Sequence, residues 1–185
     1  VDYLGWIFQG PLWSKGGAYS DEWDLKFTDP KTIAAANYLS ESINTKRYAK
    51  ISNDIAGDFS AGIIASTIAS TGDLSGITEN AAFDFGTAFL PAPQGVSGCP
   101  TGGAGLAVPA KLSDERKVNA LKFIEFITNT ENTAYFSQNV GYMPVRKAAV
   151  DEPLMKAFIE KNPNFGTAVK QLPLTRSQDN ARVFV

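Results

Sequence analysis

Two glycine-bearing stretches carry the chemistry most readily read from this chain. Thr101-Gly102-Gly103-Ala104-Gly105-Leu106-Ala107-Val108-Pro109 sets two adjacent residues without side chains ahead of an apolar run. Backbone amides there can approach a phosphate or hydroxyl oxygen that a Cβ would hold off. The second stretch, Gly141-Tyr142-Met143-Pro144-Val145-Arg146, is a turn that presents a phenol. Its glycine and proline fix the backbone, so the hydroxyl points in one direction at low entropic cost. An amphipathic helical segment lies between them, and the pair reads as two walls of a binding cleft. The plainer alternatives are a flexible turn at Gly102-Gly103 and a tyrosine packed under its own turn.

Further candidates extend that polar end. Ser70 closes an apolar run just ahead of Thr71-Gly72, where a hydroxyl can reach into a crevice. The guanidinium of Arg182, if set beside the cleft, offers a bidentate clamp for phosphate that lysine would not match. Trp6 and Trp13 offer indole faces suited to sugar or glycerol C–H surfaces and to cationic head groups, or else to a core. Asp21, Glu22 and Asp24 crowd one polar loop, which is more often solvated than catalytic.

Composition removes several function classes. With 185 residues, 44% hydrophobic and 19% charged, the chain has the profile of a soluble globular protein. The net charge of −2 and the lack of a basic stripe argue against nucleic acid as a partner. There is no histidine, which removes the commonest general base and the commonest transition-metal ligand. No catalytic residues, metal site or cofactor are expected. The single cysteine, Cys99, cannot form an internal disulfide and reads as a small loop residue. No apolar run reaches the roughly 18 residues of a membrane span, and Val1 opens into mixed sequence without a signal core.

These motifs need elements to position them. A short helix or turn over residues 7–14 ends at Gly16-Gly17. Asp29-Pro30 has the chemistry of an N-cap and first helical position, and the helix runs to about Ile43. Residues 63–70 read as a helix end and a buried strand, 74–79 as a short helix, 83–91 as an alternating strand stopped by prolines, and 91–101 as a loop. A strand follows over 105–108, then a helix capped by Ser113, with Val118, Leu121, Ile124 and Ile127 at helical spacing. Further helices are expected over 130–139 and 153–161, Pro163 breaks the second, one or two turns follow over 164–171, and 172–175 is extended.

In order along the chain, Leu12-Trp13-Ser14-Lys15-Gly16-Gly17, Phe27-Thr28-Asp29-Pro30, Ala65-Ser66-Thr67-Ile68-Ala69-Ser70-Thr71-Gly72, Leu90-Pro91, Gly102-Gly103-Ala104-Gly105-Leu106, Gly141-Tyr142-Met143-Pro144-Val145, Lys161-Asn162-Pro163 and Ala181-Arg182-Val183 form a series. That series resembles the family 1 extracellular solute-binding proteins of bacterial ABC transporters, and within them the glycerol-3-phosphate-binding branch. The resemblance implies an α/β chain with a type II periplasmic-binding-protein fold, mostly the C-terminal lobe plus part of the N-terminal lobe. Residues 1–78 and 132–185 would belong to the C-terminal lobe and 79–131 to the other. The first half and the final helix of such a protein would be missing.

By the same resemblance, Ser70, Gly102, Gly103, Tyr142 and Arg182 would line the ligand site, with Trp13 near its far wall. The function implied is not enzymatic: capture of glycerol-3-phosphate or a glycerophosphodiester in an interlobe cleft and delivery to membrane permease subunits. A monomer in the periplasm or outside the cell is expected, with lipid anchoring through a missing N-terminus as one form. Within the family the alternative is an oligosaccharide-binding protein, with Trp6 and Trp13 stacked on sugar rings. The alternative from another class is a phosphodiester hydrolase using Ser70.

Overall fold

The computed structural model describes residues 4–93, 96 and 98–177. Helix α1, Leu4–Ser14, ends where two glycines follow it: the amides of Gly16 and Gly17 donate to the carbonyls of Trp13 and Leu12 at 2.8 and 3.0 Å. A small antiparallel ribbon comes next, β1 (Ser20–Asp21) and β2 (Asp24–Leu25). Helix α2, Pro30–Ser40, starts as its sequence dictates. Asp29 accepts the Lys31 amide at 2.8 Å and Pro30, which has no amide to satisfy, takes the first turn. A π-helical turn, Glu41–Thr45, prolongs it. Leu12, Trp13 and Ala35 are almost fully buried where α1 meets α2, with Phe8 and Tyr19 packed against them.

Two short helices follow, α3 (Ile55–Ser60), capped by Asp54, and α4 (Leu74–Asn80). Phe59 of α3 meets Phe83 and Phe85 edge-on, with ring centroids 5.4 and 5.7 Å apart, the arrangement that aromatic quadrupoles favour. After β3 (Cys99–Pro100) come α5 (Asp114–Ile127), α6 (Thr130–Val140), α7 (Lys147–Asp151), α8 (Pro153–Lys161) and α9 (Pro163–Gln171). The last element is β4 (Thr175–Arg176), parallel to β3, with Cys99 opposite Thr175 and Pro100 opposite Arg176. Helix α6 packs on α4, α7 and α8, burying Ala134, Ser137, Ala149 and Met155. Asn129 caps it at one end, and at the other Gly141 takes the left-handed conformation (φ 108°) that a Cβ would strain.

The helices lie close to their expected places, but the strands do not. Residues 66–70 form no strand, and Ile63 and Ile68 are exposed at 65% and 38%; no neighbouring strand pairs with them among the described residues. The segment from Phe83 to Pro91 is likewise outside any ladder, because side chains of α9 take the ladder's role. Asn164 accepts the Thr87 amide at 3.0 Å and donates to the Phe85 carbonyl at 3.1 Å. Gln171 accepts the Leu90 amide at 3.2 Å and donates back to its carbonyl.

Residues 105–108 are also without regular structure, and Leu106 is exposed. Leu172–Leu174 forms a 3₁₀ turn rather than an extended run, since Pro173 sits comfortably in its first turn. Pro163 both ends α8 and opens α9, which is longer than one or two turns. Helices α3 and α7 are additions to the sequence reading, and Ser113 precedes α5 without a side-chain cap hydrogen bond. The apolar positions Val118 and Leu121 of α5 stand exposed, and no residue of α5 is buried.

Candidate functional site

Tyr142 packs against Gly72, two residues beyond Ser70, so the turns that carry Ser70 and Tyr142 come together at one edge. Ser70 is the N-cap of the 3₁₀ turn Thr71–Asp73 that leads into α4. The Gly72 amide donates to Ser70 Oγ at 3.2 Å, and the Ser70 amide donates to Asp73 Oδ2 at 3.2 Å, which closes a capping box. Tyr142 arrives from the end of α6 and lays its ring over Gly72. A Cβ added to Gly72 would stand 2.6 Å from Tyr142 Cζ and 2.8 Å from its hydroxyl, far inside van der Waals contact. Gly141 fits as tightly, since a Cβ there would come within 2.4 Å of the Thr71 carbonyl oxygen. The Tyr142 ring also lies near-parallel to Phe136, at 6.2 Å and 13°. The phenol thus touches both bare backbone and an aromatic ring, and it stays 40% exposed.

A second cluster gathers on one face of α1. Trp6, Gly10 and Trp13 recur at the i, i+4, i+7 spacing that places residues on one side of a helix. Gly102 lies against the Trp6 indole, where a Cβ would be 2.8 Å from Cζ2. The Trp6 indole nitrogen donates to the Thr101 carbonyl at 3.2 Å. Trp13 is 2% exposed, and the Arg176 guanidinium lies 4.3 Å from its ring centroid. Gly103 is exposed, with open space around it among the described residues.

Of the six candidates, the structure therefore groups Ser70 with Tyr142, and Gly102 and Gly103 with the α1 tryptophans. Trp13 serves that second group from within the core. Arg182 lies outside the described residues. Sequence reasoning passed over Arg176, because only the parallel pairing of β4 with β3 brings it to Trp13. It read Gly72 only as part of a turn and passed over Phe136, although an aromatic six residues before Tyr142 was visible.

Chemically, the first cluster offers two hydroxyls and the second offers exposed backbone amides. Cys99, next to Pro100 in β3, is half-buried, and burial pushes its thiol pKa up. Among the described residues no group of three or more metal-ligating side chains comes together. A depression of about 400 Å³ between α3 and α4, lined by Ala56, Gly57, Ser60, Ala61, Gly76 and Asn80, is separate from both clusters in its lining. It presents no charged group.

This fold, with its ordered series of glycine, serine and tyrosine turns, is that of a solute-binding protein: the chain belongs to the bacterial extracellular solute-binding protein family, whose model matches residues 3–167. Among curated relatives, the sn-glycerol-3-phosphate-binding periplasmic protein UgpB of Escherichia coli strain K12 is 33% identical over 155 residues, which make up 80% of this chain and 35% of that protein. Its counterpart in Escherichia coli O6:K15:H31 strain 536 is 32% identical over 155 residues, with the same coverage. Among solved structures, UgpB from Mycobacterium tuberculosis in complex with glycerophosphocholine superposes with a TM-score of 0.95 at 60% identity, covering 99% of this chain and 47% of that one. The chain thus spans about a third of the length of the curated relatives and about half of the solved one. No helix among the described residues is long and apolar enough to cross a membrane.

Proposed function

We propose that this chain is the part of an ABC importer's substrate-binding protein that supplies one side of a cleft for glycerol-3-phosphate or a glycerophosphodiester. The observation that carries the reading is the 60% identity, across nearly the whole chain, to a protein whose structure holds glycerophosphocholine. The chemistry agrees with it. Ser70 Oγ already accepts an amide, which leaves its proton for a ligand oxygen, and the Tyr142 hydroxyl stands exposed at the same edge. With the amides of Gly102 and Gly103, and with Arg182 as the charged anchor, these are donors suited to a phosphate. Trp13 backs the far wall.

In this reading residues 1–78 and 132–185 belong to one lobe and 79–131 to the other. Closure of the two lobes presents the ligand to membrane permease subunits, in the periplasm or at the outer face of the cell. The protein binds and releases its ligand unchanged, as a monomer.

Calorimetry on the full-length protein with glycerophosphocholine, sn-glycerol-3-phosphate and maltose tests this. Binding of either phosphate compound with maltose inert is the expected result. Binding of maltose alone would replace this reading with an oligosaccharide-binding one, and turnover of the phosphodiester would make the protein an enzyme.

A further inference from the structure

We infer that Arg176 is the positioning residue of the glycine wall: through Trp13 and Thr101 it sets where the Gly102 and Gly103 amides stand. The inference rests on reading those amides as ligand donors.

Three of the contacts of Arg176 converge on one point. Its carbonyl accepts the Thr101 amide at 2.9 Å and the Thr101 hydroxyl at 3.1 Å. Its guanidinium lies over the buried Trp13 ring at 4.3 Å. Thr101 immediately precedes Gly102, and its own carbonyl accepts the Trp6 indole N–H. Trp6, Thr101, Arg176 and Trp13 therefore close a ring of contacts that begins and ends on one face of α1.

Beyond that ring, among the described residues, nothing lies within 4 Å of where a Cβ of Gly103 or Gly105 would be, and residues 102–107 are exposed. The described contacts hold the wall from its Thr101 end. The ladder that could hold Thr101 by itself is two residues long on each strand, and so short a pair is marginal in water. A slip of one residue would turn β4 over and carry its side chains to the other side. The guanidinium held over the indole blocks that slip, since it fixes which face Arg176 presents and where along α1 it sits.

The test is calorimetry with glycerophosphocholine and sn-glycerol-3-phosphate on the full-length protein, with Tm followed in parallel. If the native protein binds neither compound, the function proposed above and this inference fall together. If it binds, Arg176→Ala should weaken binding at least tenfold with little change in Tm, and Arg176→Lys, which keeps a cation over the ring, should retain more affinity than Ala. Thr101→Val should also weaken binding, and its effect should not add to that of Arg176→Ala, because both act on one connection. Affinity of Arg176→Ala within twofold of native, Lys no better than Ala, or strictly additive losses would each overturn the role of Arg176 while leaving the proposed function standing. If Arg176→Ala fails to melt cooperatively, Arg176→Met takes its place in the same comparison.

Discussion

The Tyr142 ring occupies the volume that any side chain at position 72 would need: a Cβ on Gly72 would stand 2.6 Å from Tyr142 Cζ. The two residues come from different helices' ends, and their fit couples the turn that holds Ser70 to the turn that holds the phenol. Backbone lies on one side of this contact and a ring stacked on Phe136 on the other, so a side chain at position 72 would require the Tyr142 ring to move.

Gly72→Ala should therefore displace Tyr142 and cost about 1–3 kcal/mol of stability, the usual range for overpacking. Gly76→Ala, four residues on and inside α4, meets nothing within 4 Å, and should instead stabilise by about 0.5–1 kcal/mol because alanine loses less backbone freedom in a helix. Urea unfolding of both variants decides it; equal effects at the two positions would show that the Tyr142 contact does not constrain position 72.

The segment from Phe85 to Leu90 depends on two amide side chains. Gln171 is buried and bonded to both polar groups of Leu90. Gln171→Leu keeps the apolar volume but leaves the Leu90 amide and carbonyl without that partner, at a cost of about 1–3 kcal/mol. Asn164→Ala removes the bonds to Thr87 and Phe85 and should speed amide exchange at Thr87, as Gln171→Leu should at Leu90. Unchanged exchange protection in both variants would mean that the segment is held in some other way.

Burial raises the pKa of Cys99, and the thiolate is the nucleophile. Less thiolate is present at pH 7–8 than for an open cysteine, so alkylation by iodoacetamide should be slow in the folded protein and should accelerate at alkaline pH or on unfolding. A rate at pH 7.5 equal to that of the unfolded chain would contradict the burial.

Lys50 and Ser52 share one carboxylate oxygen of Asp58, at 2.6 and 2.8 Å. The Lys50 ammonium, with help from the Ser52 hydroxyl, holds the Asp58 pKa below its ordinary value. A carboxylate with a lower pKa in the folded state than in the unfolded one stabilises the fold above the unfolded value of about 3.9, and loses that contribution as pH falls through the folded value. Asp58→Asn should melt below the native protein at pH 7, and the gap should close toward pH 2. A gap that stays constant across that range would remove the ion pair as its cause.

How much of this was legible in the sequence depended on whether the signal was local. Asp29-Pro30 starts α2, Ser70 caps its turn and Gly141 ends α6 because each of these choices is made within three or four residues, by one side-chain oxygen or one left-handed φ. The same locality marked Ser70 and Tyr142 as candidates before the packing of Tyr142 on Gly72 brought their turns together.

Strands offered no such purchase. The alternating run over residues 83–91 reads as a strand, yet whether it joins a ladder is decided by what lies beside it, and here α9 supplies amides instead. The apolar spacing of α5 is helical, as expected, but spacing cannot say whether that face is covered. By itself, then, the sequence determined most of the helices, the Asp29-Pro30 start of α2 and the family. Only the tertiary structure decided that Gly72 must be bare beneath Tyr142 and that Arg176 meets Trp13, because each joins residues far apart in sequence, 70 and 163 positions respectively. Contacts at that separation arise from packing the whole chain, and no window of neighbouring residues contains them.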